Sequence, residues 1–119
     1  MRTIIAGGRT ITDVAELELA IKNSGFVITE VISGGAQGVD SLGIAWANAN
    51  ALPLTIVMAE WDVHGKAAGP IRNAEMAEIA DALILVWDGL SRGSGDMLSR
   101  AAAKGLKIHS HIVKKEEKK

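Results

Sequence analysis

Apolar residues in this chain fall in short runs, and between the runs they recur every three or four positions. The runs at residues 3–6, 30–33, 54–58, 82–87 and 107–113 read as strands. The fourth, ALILVW, is unbroken, as in a strand covered on both faces. Asp13 opens a first helix, with Glu16 three residues on in the manner of a capping box. Val14, Leu17, Ala20 and Ile21 then share a face, and Gly25 closes the helix. A second helix, residues 39–50, turns Val39, Leu42, Ala45, Trp46 and Ala49 inward before Leu52-Pro53. A longer loop holds Trp61, Asp62, His64 and Gly65. Gly69-Pro70 predicts a helix entry with proline at the first position, which places Arg72 in the first turn of a helix running to Ala80. A last helix follows the loop at residues 88–95 and ends at Gly105. Ile4, Ile32, Ile56, Ile84 and Val86 are the expected buried strand positions.

This alternation predicts an α/β protein: a single Rossmann-like three-layer domain, with a parallel sheet of about five strands and helices on both faces. The domain spans residues 1–113, and residues 114–119 form a charged, solvated tail. No repeat or linker interrupts it. Open α/β sheets bind ligands outside the carboxyl ends of their strands. The loops leaving those ends are the glycine-rich ones: Gly7-Gly8-Arg9, Gly34-Gly35-Ala36-Gln37-Gly38, residues 61–69 and residues 89–95. Each leads into a helix N-terminus, where free amides and the helix dipole favour an anion. Gly8, Gly35 and Gly93 are therefore expected to converge at one edge, around a phosphate-bearing ligand.

Composition narrows the chemistry. With 119 residues and 48% apolar side chains, the chain is long enough for one core of its own. It has no cysteine, which excludes disulfides, thiolate metal sites and a cysteine nucleophile. A net charge of −1 argues against a broad basic grip on nucleic acid, but not against a small anion. No stretch approaches the ~20 apolar residues of a membrane span, and the first apolar run is too short for a secretory signal. A cytoplasmic protein is expected, with no membrane partner. Neither a Walker pattern nor a GxGxxG fingerprint is present, so P-loop hydrolysis and conventional NAD-dependent hydride transfer find little support.

Four blocks carry a resemblance. They are Ala6-Gly7-Gly8-Arg9-Thr10, Ile32-Ser33-Gly34-Gly35-Ala36-Gln37-Gly38-Val39-Asp40, Gly65-Lys66-Ala67-Ala68-Gly69-Pro70-Ile71-Arg72-Asn73 and Trp87-Asp88-Gly89-Leu90-Ser91-Arg92-Gly93. In this order, over about residues 2–112, they resemble the YspA/YpsA-related branch of the SLOG superfamily. That superfamily includes the DNA-processing protein A family and the cytokinin-activating phosphoribohydrolases. The resemblance implies a Rossmann-like fold, a homodimer, and a nucleotide or nucleotide-derived ligand of the NAD, ADP-ribose or nucleoside phosphate kind. The phosphoribohydrolases follow their glycine-rich loop with a catalytic glutamate. Aligned on Gly93-Ser94, that position holds Met97, with Asp96 beside it. Methionine neither stabilises an oxocarbenium ion nor moves a proton. The reading therefore leans towards a sensor or sequestering module without catalysis, with no assignable catalytic residue and no required cofactor. One alternative is an enzyme cleaving an N-glycosidic or related bond in a nucleotide derivative. A second is a DNA-processing, single-strand-binding role, which the near-neutral charge weakens.

The expected ligand-binding residues are Gly7, Gly8, Arg9, Ser33, Gly34, Gly35, Ala36, Gly38, Asp40, Trp61, Arg72, Asn73, Asp88, Gly89, Ser91, Gly93 and Ser94. Arg9 and Arg72 are anion clamps, since a guanidinium offers a planar fork of donors. Asp40 either holds a ribose hydroxyl or caps a helix. Asp88 either meets ligand hydroxyls or ties down its own loop. Ser33 and Ser91 either donate to phosphate or stabilise turns. Trp61 is placed to stack on a base, whereas Trp46 and Trp87 belong to the core. His109 and His111 share a strand face without a visible third ligand, so no metal site is expected. His64 reads as a loop residue.

Overall fold

A computed structural model describes residues 1–114. The order is β1 (Arg2–Gly7), α1 (Val14–Ser24), β2 (Glu30–Ser33), α2 (Val39–Ala49), β3 (Leu54–Ile56), α3 (Trp61–His64), a 3-10 turn (Gly65–Ala67), α4 (Ala68–Ile79), β4 (Ala82–Trp87), α5 (Arg92–Ala103) and β5 (Lys107–Ile112). All five strands are parallel, in the order β3-β2-β1-β4-β5. This is a Rossmann-like α/β domain whose strand order reverses between β1 and β4.

Successive strand residues feed opposite layers, as the period of two requires. Ile4, Ile32, Leu83 and Leu85 join Met76, Ala77, Met97 and Ala101 under α4 and α5. Ile5, Val31, Ile84 and Val86 join Leu17, Ala20, Val39 and Ala47 under α1 and α2. Every residue of β4 is buried, as its apolar run demands. Trp87 is buried in the first layer, with its indole N–H donating to Ser110 Oγ at 2.9 Å, and Trp46 packs partly buried in the second. No helix among the described residues is long and apolar enough to cross a membrane.

Several expectations need correction. The third strand stops at Ile56 and lies on the sheet edge, so Ile56 is exposed rather than buried. Val14 is the first residue of α1 and is also exposed. On α2 the inward face is Val39, Leu42, Gly43, Trp46 and Ala47, while Ala45 and Ala49 face outward. Gly43 sets that rotation: a Cβ there would stand 2.8 Å from Ile5 Cγ2, so the helix lies against β1 at its glycine. The expected loop around Trp61 is largely helical. Pro70 is the third residue of α4, not the first; its missing N–H is still harmless there, because that amide has no partner within the helix. Arg72 consequently lies beyond the first turn. Gly93, Ser94 and Gly95 belong to α5 rather than to the loop before it. Of the expected tail, only Lys114 is among the described residues.

Candidate functional site

A cleft of about 1150 Å³ opens at the carboxyl edge of the sheet, between the ends of β1 and β4. This is where a strand-order reversal leaves adjacent loops diverging to opposite faces. The volume lies just above the usual range of small-molecule sites, roughly 300–1,000 Å³. Of the expected residues, Gly7, Gly8, Arg9, Ala36, Asp40, Trp61, Arg72, Asn73, Asp88, Ser91, Gly93 and Ser94 line it. Gly35 does not; its place is beside Ile56 and Met58, so it does not converge with Gly8 and Gly93 on the cleft. Ser33, Gly34, Gly38 and Gly89 also stand outside the lining.

Those outer residues build the walls. The Ser33 hydroxyl donates to the Asp40 carbonyl and accepts from the Gly35 N–H, both at 3.2 Å, so it stabilises its turn. Gly34 is the floor beneath two charges. A Cβ there would stand 2.8 Å from Asp40 Oδ2 and would also overlap the Arg72 guanidinium. The Gly34 carbonyl accepts from Arg72 Nη1 at 2.8 Å. Gly38 adopts φ 75°, ψ −129°, and its α-carbon lies against the Gly8–Arg9 backbone, joining the two loops. Gly89 sits in a turn held by Asp88, whose Oδ1 accepts from the Leu90 and Ser91 N–H groups at 2.8 and 2.9 Å.

Asp40 and Arg72 are the electrostatic centre. Burial pushes the Asp40 carboxyl above its ordinary range; the Ala36 N–H and the charges of Arg72 and Arg9 offset that only in part. Burial likewise lowers the Arg72 guanidinium, against the pull of Asp40. For both groups desolvation outweighs mutual attraction, as expected for partly dehydrated charges. Arg72 Nε donates to Asn73 Oδ1 at 3.0 Å. Asn73, only 5% exposed, donates in turn to Asp96 Oδ2 at 3.0 Å and the Gly93 carbonyl at 3.3 Å. One polar chain therefore runs from the loop after β2, through α4, to the first turn of α5. Arg9 is exposed on the cleft rim.

The helix N-termini around the cleft differ. α1 carries its own carboxylates: Asp13 accepts from the Ala15 N–H at 3.0 Å, and Glu16 is in the first turn. The expected capping box is not closed by Glu16, whose Oε2 lies 2.9 Å from His111 Nε2 instead. α2 carries Asp40 in its first turn. α4 and α5 have neither a side-chain cap nor an acidic residue in the first turn. At α5 the capping position is Ser91, and its hydroxyl is the buried side-chain polar atom left without a partner among the described residues. A buried hydroxyl without a partner is costly, which points to a ligand acceptor.

Trp61 is half exposed, with its ring packed over Gly69 at the cleft wall. Sequence reasoning missed Lys66, Arg92 and Lys114 as cations of the lining, and Thr10, Thr12, Asp13 and Glu16 as its polar side. Lys66 and Arg92 lay inside motif blocks already singled out, but nothing in the pattern said which way they face. Met97 lines the cleft, whereas Asp96 is engaged by Asn73 and by Arg100 Nε at 3.0 Å. His109 and His111 join no group of three or more His, Asp or Glu side chains placed to hold a metal among the described residues.

No family model matches the chain. The gene 61 protein of Mycobacterium phage D29 is 32% identical over 120 residues, covering 90% of this chain and 93% of that protein. Among solved structures, DNA processing protein A (DprA) from Streptococcus pneumoniae superposes with a TM-score of 0.70 at 18% identity. The match covers 92% of this chain and 49% of the other, so this chain spans about half of DprA's length and shares its fold.

Proposed function

We propose that this chain, which belongs to the family of the gene 61 protein of Mycobacterium phage D29, binds a nucleotide-type ligand in the cleft between β1 and β4 and holds it without turnover. The ligand class is NAD- or ADP-ribose-like, or a nucleoside phosphate. The observation that carries this reading is the enclosed, unpartnered Ser91 hydroxyl at an uncapped helix N-terminus beside Gly93. Backbone amides, the helix dipole and a free hydroxyl together suit a phosphate. Lys66 and Arg92 supply nearby charge, and Trp61 supplies an aromatic face for a base. No other cofactor is required. Absence of turnover is argued from Met97 at the cleft and from Asp96 being tied to Asn73 and Arg100. Placement in the YspA/YpsA-related branch of the SLOG superfamily rests on the four sequence blocks. A cytoplasmic, homodimeric protein belongs to the same reading, and sedimentation of the purified chain tests the dimer.

Ser91→Ala tests the phosphate site. The hydroxyl makes no capping bond, so its loss should leave the melting temperature of the empty protein nearly unchanged, unlike the ~1 kcal/mol typical of a working cap. Ligand affinity should fall by about 2 kcal/mol, the scale of a hydrogen bond to a charged group. A marked loss of stability with unchanged affinity would make Ser91 a structural cap.

A second reading is single-strand DNA binding, favoured by the fold shared with DprA and by Arg9, Lys66, Arg92 and Lys114 around the cleft. Salt-dependent binding of an oligonucleotide that competes with nucleotides for the cleft would favour it.

A further inference from the structure

The cleft is chemically two-sided. The first turns of α4 and α5 hold no carboxylate, and the Asp88 carboxylate before α5 is engaged by the Leu90 and Ser91 N–H groups, whereas α1 presents Asp13 and Glu16 to the cleft. A phosphate is repelled from the α1 side, and hydrogen-bond donors on a ligand are attracted to it.

Glu16 is held in an unusual way. At the third position of α1, its ordinary partner is the N-cap backbone N–H. Instead its Oε2 meets His111 Nε2, on a strand 95 residues away in sequence. Both groups are sheltered, with side chains 31% and 15% exposed. Strand register explains the meeting. Gly7 pairs with Val86 and Val86 with His111, so His111 lies in the row at which β1 enters the cleft. The imidazole fixes one oxygen of a carboxylate that lines the cleft, and a carboxylate has further lone pairs to offer. The Ser91 hydroxyl, enclosed without a partner in the same cleft, points independently to a ligand there.

We infer that Glu16, oriented by His111, accepts hydrogen bonds from the sugar hydroxyls of the ligand and makes the site selective for ribonucleotides over their deoxy counterparts. This rests on the nucleotide reading above. A carboxylate is the common device for gripping a ribose hydroxyl in Rossmann-like folds. Here it comes from α1. His111 is a positioning residue: it touches Glu16 and not the ligand.

Calorimetry with ADP, GDP, CDP and UDP, each beside its 2′,3′-dideoxy analogue, tests the inference. The intact protein is expected to bind at least one ribonucleotide tenfold or more tightly than its analogue. Glu16→Gln should reduce that ratio to near one, while leaving affinity for the dideoxy compound within twofold. His111→Ala should lower the ratio several-fold, and His111→Gln, which keeps an N–H donor, should recover part of it. Binding of both members of each pair with equal affinity would overturn the inference and leave the nucleotide reading standing. Equal weakening of both members by Glu16→Gln would do the same. Failure of every diphosphate, ribo and dideoxy, to bind would bring down both.

Discussion

Gly38→Ala should unfold the domain at temperatures where the parent is fully folded. The backbone at Gly38 has φ 75° and ψ −129°, a region closed to residues with a side chain. A Cβ would also strike the Gly8 carbonyl and stand 2.6 Å from the Arg9 carbonyl carbon, backbone atoms with nowhere to retreat. Strain and overlap each cost roughly 1–3 kcal/mol, so about 4 kcal/mol together is expected. For a domain of this size that is about 15–25 °C in Tm. Gly25→Ala is the control, since Gly25 also has positive φ but no atom within 4 Å of its would-be Cβ. It should cost only the ~1 kcal/mol of the backbone term. Thermal denaturation of both variants checks the difference. Equal, small effects would mean that the two cleft loops are not locked together at Gly38.

Arg72→Ala should also be strongly destabilising. Placed in a first helical turn, Arg72 would oppose the helix dipole, and its removal would be nearly neutral. Its actual position is different. The side chain bonds the Gly34 carbonyl and Asn73 Oδ1, and its charge faces the buried carboxyl of Asp40. Removal leaves that carbonyl unpaired and the carboxyl with only the Ala36 N–H and the Arg9 charge to offset its burial, at an expected cost of about 2–3 kcal/mol. Arg72→Lys should recover little, because an ammonium does not span two acceptors with a rigid fork.

The pH dependence follows from Asp40, whose pKa is raised in the folded state. Its favourable contribution is complete below the ordinary carboxylate range and is lost as pH rises through the raised value. Without Arg72 the carboxyl rises further, so the loss is larger and its window extends upward. The gap in Tm between Arg72→Ala and the parent should therefore widen from pH 4 towards neutrality. Adding Asp40→Asn should narrow it. A gap independent of pH would show that the two charges are not coupled.

The parts of the fold that could be read from sequence are those set by burial alone. ALILVW reads as a covered strand, and all six residues are buried. The glycine-rich loops lie at the sheet edge where the cleft opens, because close approach to other chain segments is what glycine permits there. What sequence withheld depends on neighbours. Ile56 looks like a core strand residue until the pairing order puts β3 at the edge. The inward face of α2 turns on contact between Gly43 and Ile5, which periodicity does not register. A four-residue helix such as WDVH is too short to show a period at all. In the site, Asp88 and Ser33 were left between ligand and turn, and both hold turns. Glu16 carried the sequence mark of a capping box, and only the strand register brings His111 to compete for it.

The central claim is a nucleotide-type ligand in the cleft, with its phosphate at the start of α5. Calorimetric titration of the purified chain with nucleoside mono- and diphosphates, NAD and ADP-ribose tests it most directly, with each titration repeated on Ser91→Ala. At least one ligand is expected to bind in a one-to-one ratio with the chain, to raise Tm by mass action, and to bind about 2 kcal/mol more weakly to the variant. No binding heat from any of them at millimolar concentration, or binding indifferent to Ser91→Ala, would contradict it.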